Sequence, residues 1–131
     1  MIQIIQLKGT DRRLYELVAP LVMNPDVLKQ NYNYPFRTSE DFVWFVAVEK
    51  RKVIGFIPVE EKKKECIINN YYVEDNNEST LKLLLEKVIS NTTAGKELTS
   101  VTFIVHCSLF KDLGFSEEKV LTLYVKMKKD R

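Results

Sequence analysis

The sequence predicts a single α/β domain in which a mixed, mostly antiparallel central sheet carries helices on both faces. Residues 66–73 are apolar or aromatic apart from Asn69 and Asn70, and residues 98–105 form a second apolar run that contains only small polar residues, Thr99, Ser100 and Thr102. Such runs are typical of strands that are covered on both faces. A helical pattern over residues 76–90 separates them. A strand–helix–strand unit of this kind predicts that the second strand runs parallel to the first or close to it.

Length, charge and cysteine content exclude several classes of protein. The chain has 131 residues, of which 45% are hydrophobic, and this suits one domain with a real core. Acidic and basic residues are mixed and the net charge is +2, so neither nucleic acid nor a membrane is an expected partner. Cys66 and Cys107 lack metal-ligand spacing, and the sequence has no signal peptide or long apolar span. We therefore expect a cytoplasmic protein without a metal site.

The N-terminal third predicts one strand and two helices. Residues 2–7 are β-rich and should form the first strand. The Thr-Asp pair at residues 10–11 suits a helix cap. The Asn-Pro pair at residues 24–25 predicts a cap with proline at the first helical position, and hence a second helix over residues 26–30. The apolar positions of the first helix recur at helical spacing: Leu14, Leu17, Val18 and Leu21.

An aromatic-rich segment, residues 31–36, follows the second helix, and we call it the aromatic loop. Its aromatic side chains belong to Tyr32, Tyr34 and Phe36. Exposed aromatic residues in a loop are often recognition residues, whereas a loop folded onto the core uses the same side chains for packing. The sequence leaves both interpretations open, and these three residues are candidate ligand-binding residues.

The middle of the chain predicts a three-stranded antiparallel meander. Residues 42–48 and 53–59 are strand candidates joined by a charged hairpin turn at residues 49–52. Residues 66–73 complete the meander. Pro58 lacks an N–H group and should mark a bulge or the end of pairing in the second strand.

Helix signals and a final strand account for the remainder. Asp75 followed three residues later by Glu78 has the spacing of a capping box for the helix over residues 76–90. Gly114 is placed to be the left-handed residue after a short helix. The other predicted segments are a turn at residues 93–95, that short helix at residues 108–113, a last strand at residues 120–128 and a solvated tail at residues 128–131.

This order of elements resembles the GNAT superfamily of acyl-CoA-dependent N-acetyltransferases along essentially the whole chain. Residues 45–56, with Gly55 after a Val-Ile pair, look like the second and third strands of the family. Residues 70–73 resemble the end of its fourth strand. Residues 109–115 (Leu-Phe-Lys-Asp-Leu-Gly-Phe) are similar to the "l-Y-x-k-L-G-F" segment after its fifth strand, which is the most specific match. The resemblance implies that residues 66–73 and 98–105 run parallel and splay apart at their C-terminal ends.

The resemblance implies acetyl-CoA as the cofactor, with its pantetheine between the splayed strands and its pyrophosphate at the following helix start. Family members usually carry R/Q-x-x-G-x-G/A there, because glycines let backbone N–H groups close around the pyrophosphate. This chain has neither glycine nor a basic residue in that turn, and Glu74, Asp75 and Glu78 are acidic. We therefore predict a degenerate pyrophosphate-binding loop and weak coenzyme binding. The candidate cofactor-binding residues are Tyr71, Tyr72, Val73, Asn76, Asn77, Glu78, Ser79, Thr80 and Phe110.

The catalytic candidates are His106 and Tyr72. The tyrosine that is the family's frequent general acid corresponds to Phe110, and a phenyl ring cannot protonate a leaving thiolate, so slow turnover is expected. His106, the only histidine, is a candidate general base for an amine, although a surface or hydrogen-bonded histidine explains the same pattern. Tyr71 and Tyr72 should point to opposite faces of the sheet, with one of them towards the cleft.

Two functions follow from these residues. The leading interpretation is transfer of an acyl group, such as acetyl, from coenzyme A to an amine by direct attack, with catalysis coming mainly from orientation. The alternative is a catalytically degenerate GNAT-fold module that binds a protein or small ligand through the aromatic loop. The sequence does not specify the acceptor, the oligomeric state or the pathway.

Overall fold

A computed structural model describes residues 1–92 and 95–129. The predicted turn at residues 93–95 and the predicted tail at residues 128–131 therefore lie partly outside the described residues. Short 3₁₀ turns occur at Glu74–Asn76 and Ile104–His106. The helices and strands, in chain order, are β1 (Gln3–Lys8), α1 (Arg12–Val22), α2 (Pro25–Gln30), β2 (Phe42–Glu49), β3 (Lys52–Glu61), β4 (Glu65–Ile68), β5 (Tyr72–Val73), α3 (Glu78–Asn91), β6 (Glu97–Phe103), α4 (Cys107–Asp112), β7 (Ser116–Val120) and β8 (Tyr124–Lys129).

The strands form one sheet in the order β1-β2-β3-β4-β6-β8-β7, with β5 paired to β3. Only the β4–β6 pair is parallel among the strand pairs of the described residues. Apolar side chains of α3 and α4 pack in one buried cluster, and those of α1 and α2 pack in a second cluster on the other face. The predicted class, a mixed and mostly antiparallel sheet with helices on both faces, is confirmed. No helix in the described ranges is long and apolar enough to cross a membrane.

The β2–β3 hairpin closes without glycine. Lys50 and Arg51 have φ values of 50° and 66°, the left-handed backbone that a two-residue hairpin turn requires. Pro58 pairs with Trp44, and pairing with β2 continues beyond it, so Pro58 does not end the pairing on that edge. The predicted bulge or end of pairing lies on the other edge of β3. Residues 57–59 have no ladder partner on the β4–β5 side, and a strand accommodates a proline where one of its edges is unpaired.

The predicted central strand over residues 66–73 is interrupted. Phe56 pairs with Tyr72 and Glu60 pairs with Ile67, so the four residues 68–71 lie opposite the three residues 57–59. One extra residue in a strand produces a β-bulge, which bends the strand and re-aims its side chains. The interruption therefore divides the predicted strand into β4 and β5, and Asn69, Asn70 and Tyr71 lie between them.

The cap of α3 differs from the prediction. Asn77, not Asp75, is the N-cap, and its Oδ1 accepts a hydrogen bond from the Thr80 N–H at 3.1 Å. Asp75 and Asn76 have φ values of 56° and 52°, so the backbone makes a left-handed turn first and the helix begins at Glu78. The predicted capping box is therefore wrong.

Two predicted strand boundaries also change near the C-terminus. The strand predicted over residues 98–105 ends at Phe103, because the chain turns into a 3₁₀ turn that leaves Ile104 and Val105 exposed. The single strand predicted over residues 120–128 is instead the β7–β8 pair. Every residue of β7 is exposed. Because β7 has no buried face, its sequence lacks the alternation of apolar and polar residues by which a strand is recognised.

The end of α4 follows the prediction. Gly114 has φ 99°, the Phe115 N–H donates to the Phe110 carbonyl at 3.0 Å, and the Gly114 N–H donates to the Lys111 carbonyl at 3.0 Å. These two bonds form a Schellman motif. The motif ends the helix and turns the chain towards β7.

Candidate functional site

The two parallel strands separate beyond their fourth pair. β4 and β6 pair from Glu65–Glu97 to Ile68–Ser100, and β5 then pairs with β3 and not with β6. The predicted parallel arrangement with diverging C-terminal ends is thus confirmed. We call the space between β5 and the end of β6 the gap.

The Tyr71 side chain lies in the gap and bridges its two sides. Tyr71 is 1% exposed, and its Oη accepts a hydrogen bond from the Phe103 N–H of β6 at 3.2 Å. The same Oη lies 2.7 Å from Nδ1 of His106. The Tyr71 ring also contacts Phe103 and Phe110, with centroid distances of 5.1 and 5.9 Å. The divergence of the strands would leave the Phe103 N–H without a strand partner, and the Tyr71 side chain supplies its hydrogen-bond acceptor instead.

His106 is held in this cluster by one hydrogen bond. The Tyr71 hydroxyl, which accepts from the Phe103 N–H, shares a second hydrogen bond with His106 Nδ1. Nε2 is buried and has no hydrogen-bond partner among the described residues. Burial lowers the pKa of His106, although Glu78 opposes the effect, and burial raises the pKa of Tyr71. At neutral pH we therefore expect both side chains to be uncharged.

This arrangement makes folding stability depend on pH in a defined window. The unfolded chain binds a proton at His106 below about pH 6.5, whereas the folded chain resists it because the folded pKa is lower. The free energy of unfolding should therefore be constant above this pH and fall as the pH drops below it. Urea denaturation between pH 7.5 and 5.5 measures this.

His106→Asn is the matched variant, because the Asn side-chain amide can accept from or donate to the Tyr71 hydroxyl without titrating. His106 is the only histidine, so the slope in this window should disappear in the variant. A wild-type stability that rises or stays level between pH 7 and 5.5 would contradict buried neutral His106.

A second side chain satisfies the backbone at the end of β5. Gln30, the last residue of α2, donates through Nε2 to the Val73 carbonyl at 3.0 Å and to Asn76 Oδ1 at 3.2 Å. An unpaired carbonyl at a strand end would otherwise be free to accept from a ligand. The structure thus supplies side-chain partners on both strands that border the gap.

The start of α3 is poorly suited to phosphate. A cavity of about 230 Å³ beside it is lined by Glu49, Glu74 and Asp75 together with Asn77 and Ser79. Lys52, the neighbouring cation, is paired with Glu74 at 2.8 Å, and this pairing raises the pKa of Lys52. The helix dipole favours an anion, but carboxylates at the same place oppose it.

The residues present therefore do not fit acetyl-CoA in this arrangement. Tyr71 lies in the gap that the resemblance assigns to the pantetheine, and Glu74, Asp75 and Glu78 lie at the α3 start, to which the resemblance assigns the pyrophosphate. Phe110 is fully buried and packs on Phe115 at 5.1 Å, and it has no hydroxyl.

The residues of the aromatic loop differ in role: one packs in the core, and the other two are exposed as recognition residues often are. Phe36 packs edge-on against Phe56 at 5.0 Å, as a core residue does. Tyr32 contacts Tyr124 at 5.5 Å, yet 49% of it is exposed. Tyr34 is 57% exposed.

Tyr34 lines two adjacent cavities of about 220 and 280 Å³. Both cavities also include Arg37 and Asn69, and we call them together the cleft. Arg37 is exposed and has no ion pair among the described residues. Asn69 Nδ2 lies 3.4 Å from Glu60 Oε1, and Tyr124 closes one end of the cleft.

The predicted site residues fall in three places. Tyr71, His106 and Phe110 meet in the buried cluster of the gap. Tyr72 points to the opposite face and contacts Phe56 at 5.5 Å, which confirms the predicted alternation of the two tyrosines. The α3 start contains Asn76, Asn77, Glu78, Ser79 and Thr80, and the aromatic loop contains Tyr32, Tyr34 and Phe36.

Sequence reasoning missed Gln30, Arg37, Phe103 and Tyr124. Phe103 had one signal, since it ends a strand whose partner was expected to splay away. The others had none, because their roles depend on contacts across the fold. Gln30, for example, is 43 residues from Val73.

Comparison with solved structures identifies the class of this fold. The chain superimposes over nearly its whole length on structures of GNAT acetyltransferases, and it therefore has the GNAT fold. No protein-family model and no curated protein sequence matches it.

Three particular structures illustrate the similarity. Escherichia coli ElaA has a TM-score of 0.79 at 11% identity, with 98% of this chain and 99% of that chain covered. An acyl-CoA N-acyltransferase from Pseudomonas aeruginosa has a TM-score of 0.80 at 10% identity, with 99% and 100% covered. A GNAT family acetyltransferase from Elizabethkingia anophelis, with acetyl-CoA bound, has a TM-score of 0.61 at 13% identity, with 99% and 98% covered.

Proposed function

We propose that this protein is a non-catalytic GNAT-fold module that binds a small ligand or a peptide segment in the cleft beside the aromatic loop. The observation that carries the proposal is the pair of side-chain hydrogen bonds at the gap, from the Phe103 N–H to Tyr71 and from Gln30 to the Val73 carbonyl. When the protein's own side chains already pair with the backbone N–H and C=O groups that border the gap, few of these groups are left to bind a coenzyme. Fold does not determine function, so the site residues weigh more than the fold here.

The cleft favours a ligand that carries a carboxylate next to an apolar group. Arg37 supplies an exposed guanidinium, which binds carboxylates through paired N–H donors. Tyr34 and Tyr124 supply aromatic surface, and Asn69 supplies an amide. Pockets with aromatic walls and a few convergent polar groups are typical ligand sites.

The test is a titration of ¹⁵N-labelled protein with pooled N-acetyl amino acids and, separately, with their uncharged amides. We expect amide chemical-shift changes at residues 34, 36–39 and 69–70 with the acids and not with the amides. Arg37→Gln should abolish them, whereas Arg13→Gln, which removes an exposed arginine on α1, should not. Equal shifts with acids and amides would contradict the role of Arg37. Tight calorimetric binding of acetyl-CoA to the wild type would contradict the non-catalytic proposal.

A second candidate function is acyl transfer from coenzyme A to an amine. It is favoured by one observation, the parallel strands that diverge beside an open cleft. Binding of acetyl-CoA, followed by thiol release in the presence of amines, would favour this candidate. Within it, His106 and Tyr72 stay candidate catalytic residues, although both are buried.

A further inference from the structure

We infer that the Tyr71 side chain is an internal plug, which occupies the gap in place of an extended amide-bearing chain, so that residue 71 decides whether a pantetheine thioester enters. The inference concerns the gap and not the ligand of the cleft. It rests on the proposed function only in treating the gap as filled by the protein's own side chain.

The geometry of the strands defines what would fit the gap. Two parallel strands that separate leave backbone N–H and C=O groups without strand partners. An extended chain with its own amide groups satisfies such groups as an added strand does. Pantetheine is a narrow chain of this kind, with two amides. In this protein the Phe103 N–H is instead bonded to Tyr71 Oη.

The bulge between β4 and β5 explains how Tyr71 reaches this position. The extra residue in the stretch 68–71 changes the direction of the side chains that follow Ile68. The Tyr71 ring enters the cluster on the α3–α4 face, where it lies against Phe103, His106 and Phe110. Tyr72, one residue later, packs on the other face and takes no part in the gap.

The plug leaves one polar group without a partner. Nε2 of His106, which is 1% exposed, has no hydrogen-bond partner in the described part of the chain. Buried polar groups in native proteins are nearly always paired, so an unpaired one indicates a site able to accept a further polar group. The aromatic cluster thus fills the gap but leaves Nε2 of His106 available for a further hydrogen bond.

The experiment compares Tyr71→Ala with Tyr72→Ala, which removes the same side chain from the opposite face. The probe is acetyl-pantetheine, which has the thioester chain of acetyl-CoA without its nucleotide and pyrophosphate. The probe therefore avoids the acidic α3 start. We expect no calorimetric binding to the wild type or to Tyr72→Ala, and at least tenfold tighter binding to Tyr71→Ala. The NMR signals of the Phe103 amide and the His106 imidazole should shift only in Tyr71→Ala.

Three results would overturn the inference. The first is wild-type binding as tight as that of Tyr71→Ala. The second is equal gain in Tyr72→Ala, and the third is a folded Tyr71→Ala variant that does not bind. If circular dichroism shows that Tyr71→Ala is unfolded, Tyr71→Leu replaces it, since leucine retains apolar bulk but vacates the outer part of the ring.

The two proposals fail in different ways. If folded Tyr71→Ala binds no acetyl-pantetheine but the wild type binds carboxylates in the cleft, the plug hypothesis is wrong and the binding-module proposal stands. If Tyr71→Ala gains thioester binding but the cleft binds no carboxylate, the plug hypothesis stands and the proposed cleft ligand is wrong.

Discussion

Replacement of Tyr71 by phenylalanine is expected to lower the free energy of unfolding by roughly 2–4 kcal/mol, because two buried polar groups lose their partner. The Phe103 N–H and Nδ1 of His106 both bond to the Tyr71 hydroxyl, and both lie in the interior. The ring itself is retained, so packing is nearly unchanged. Urea denaturation monitored by circular dichroism measures the change.

Tyr72→Phe is the matched control. Tyr72 is the neighbouring buried tyrosine, and its hydroxyl makes no hydrogen bond within the described residues. Its replacement should therefore change stability by about 0.5 kcal/mol or less. Equal losses in the two variants would show that the Tyr71 hydroxyl has no special role in closing the gap.

Neutralisation of the acidic residues at the α3 start is expected to raise the affinity for acetyl-CoA. Two like charges about 6 Å apart repel by roughly 3 kcal/mol at an effective dielectric near 20, before salt screens them. After screening, we expect about tenfold tighter binding per carboxylate removed. The variant is Asp75→Asn with Glu78→Gln, in the Tyr71→Ala background so that the gap is open. Calorimetry at low and at high salt measures the effect.

Two comparisons make this result specific. Acetyl-pantetheine has no phosphate, so its affinity should not change, and the gain for acetyl-CoA should shrink at high salt. Glu86→Gln, on the exposed surface further along α3, removes the same charge away from the helix start and should have little effect. A gain that persists at high salt, or that acetyl-pantetheine shares, would mean that charge repulsion is not the obstacle.

The two features that we expect to oppose coenzyme binding differ in how they arise. The acidic start of α3 depends on residue types alone, since Glu74, Asp75 and Glu78 lie in or next to a segment, residues 76–81, that has neither the glycines nor the basic residue of the family pattern. The closed gap depends on the placement of one side chain. Neither feature changes the order of elements, so the GNAT fold by itself does not determine whether coenzyme binds.

The sequence by itself determined the order of the helices and of the main strands, although it merged β4 with β5 and did not separate β7 from β8. Helical periodicity, continuous apolar runs and the Gly114 signal act over a few residues, so they can be recognised without tertiary contacts. It also determined that Tyr71 and Tyr72 face opposite sides, because side chains alternate along a strand. The missing glycines and the phenylalanine at position 110 were likewise evident from residue types alone.

Only the tertiary structure decided which tyrosine closes the gap and what satisfies the separating strands. Strand alternation fixes the relative direction of Tyr71 and Tyr72, but the face of each depends on the register with β3 and on the bulge after Ile68. The Gln30–Val73 bond likewise joins elements far apart in the chain. Such contacts leave no periodic signal, because they arise from packing of whole elements, and they are what separate a closed gap from an open coenzyme channel.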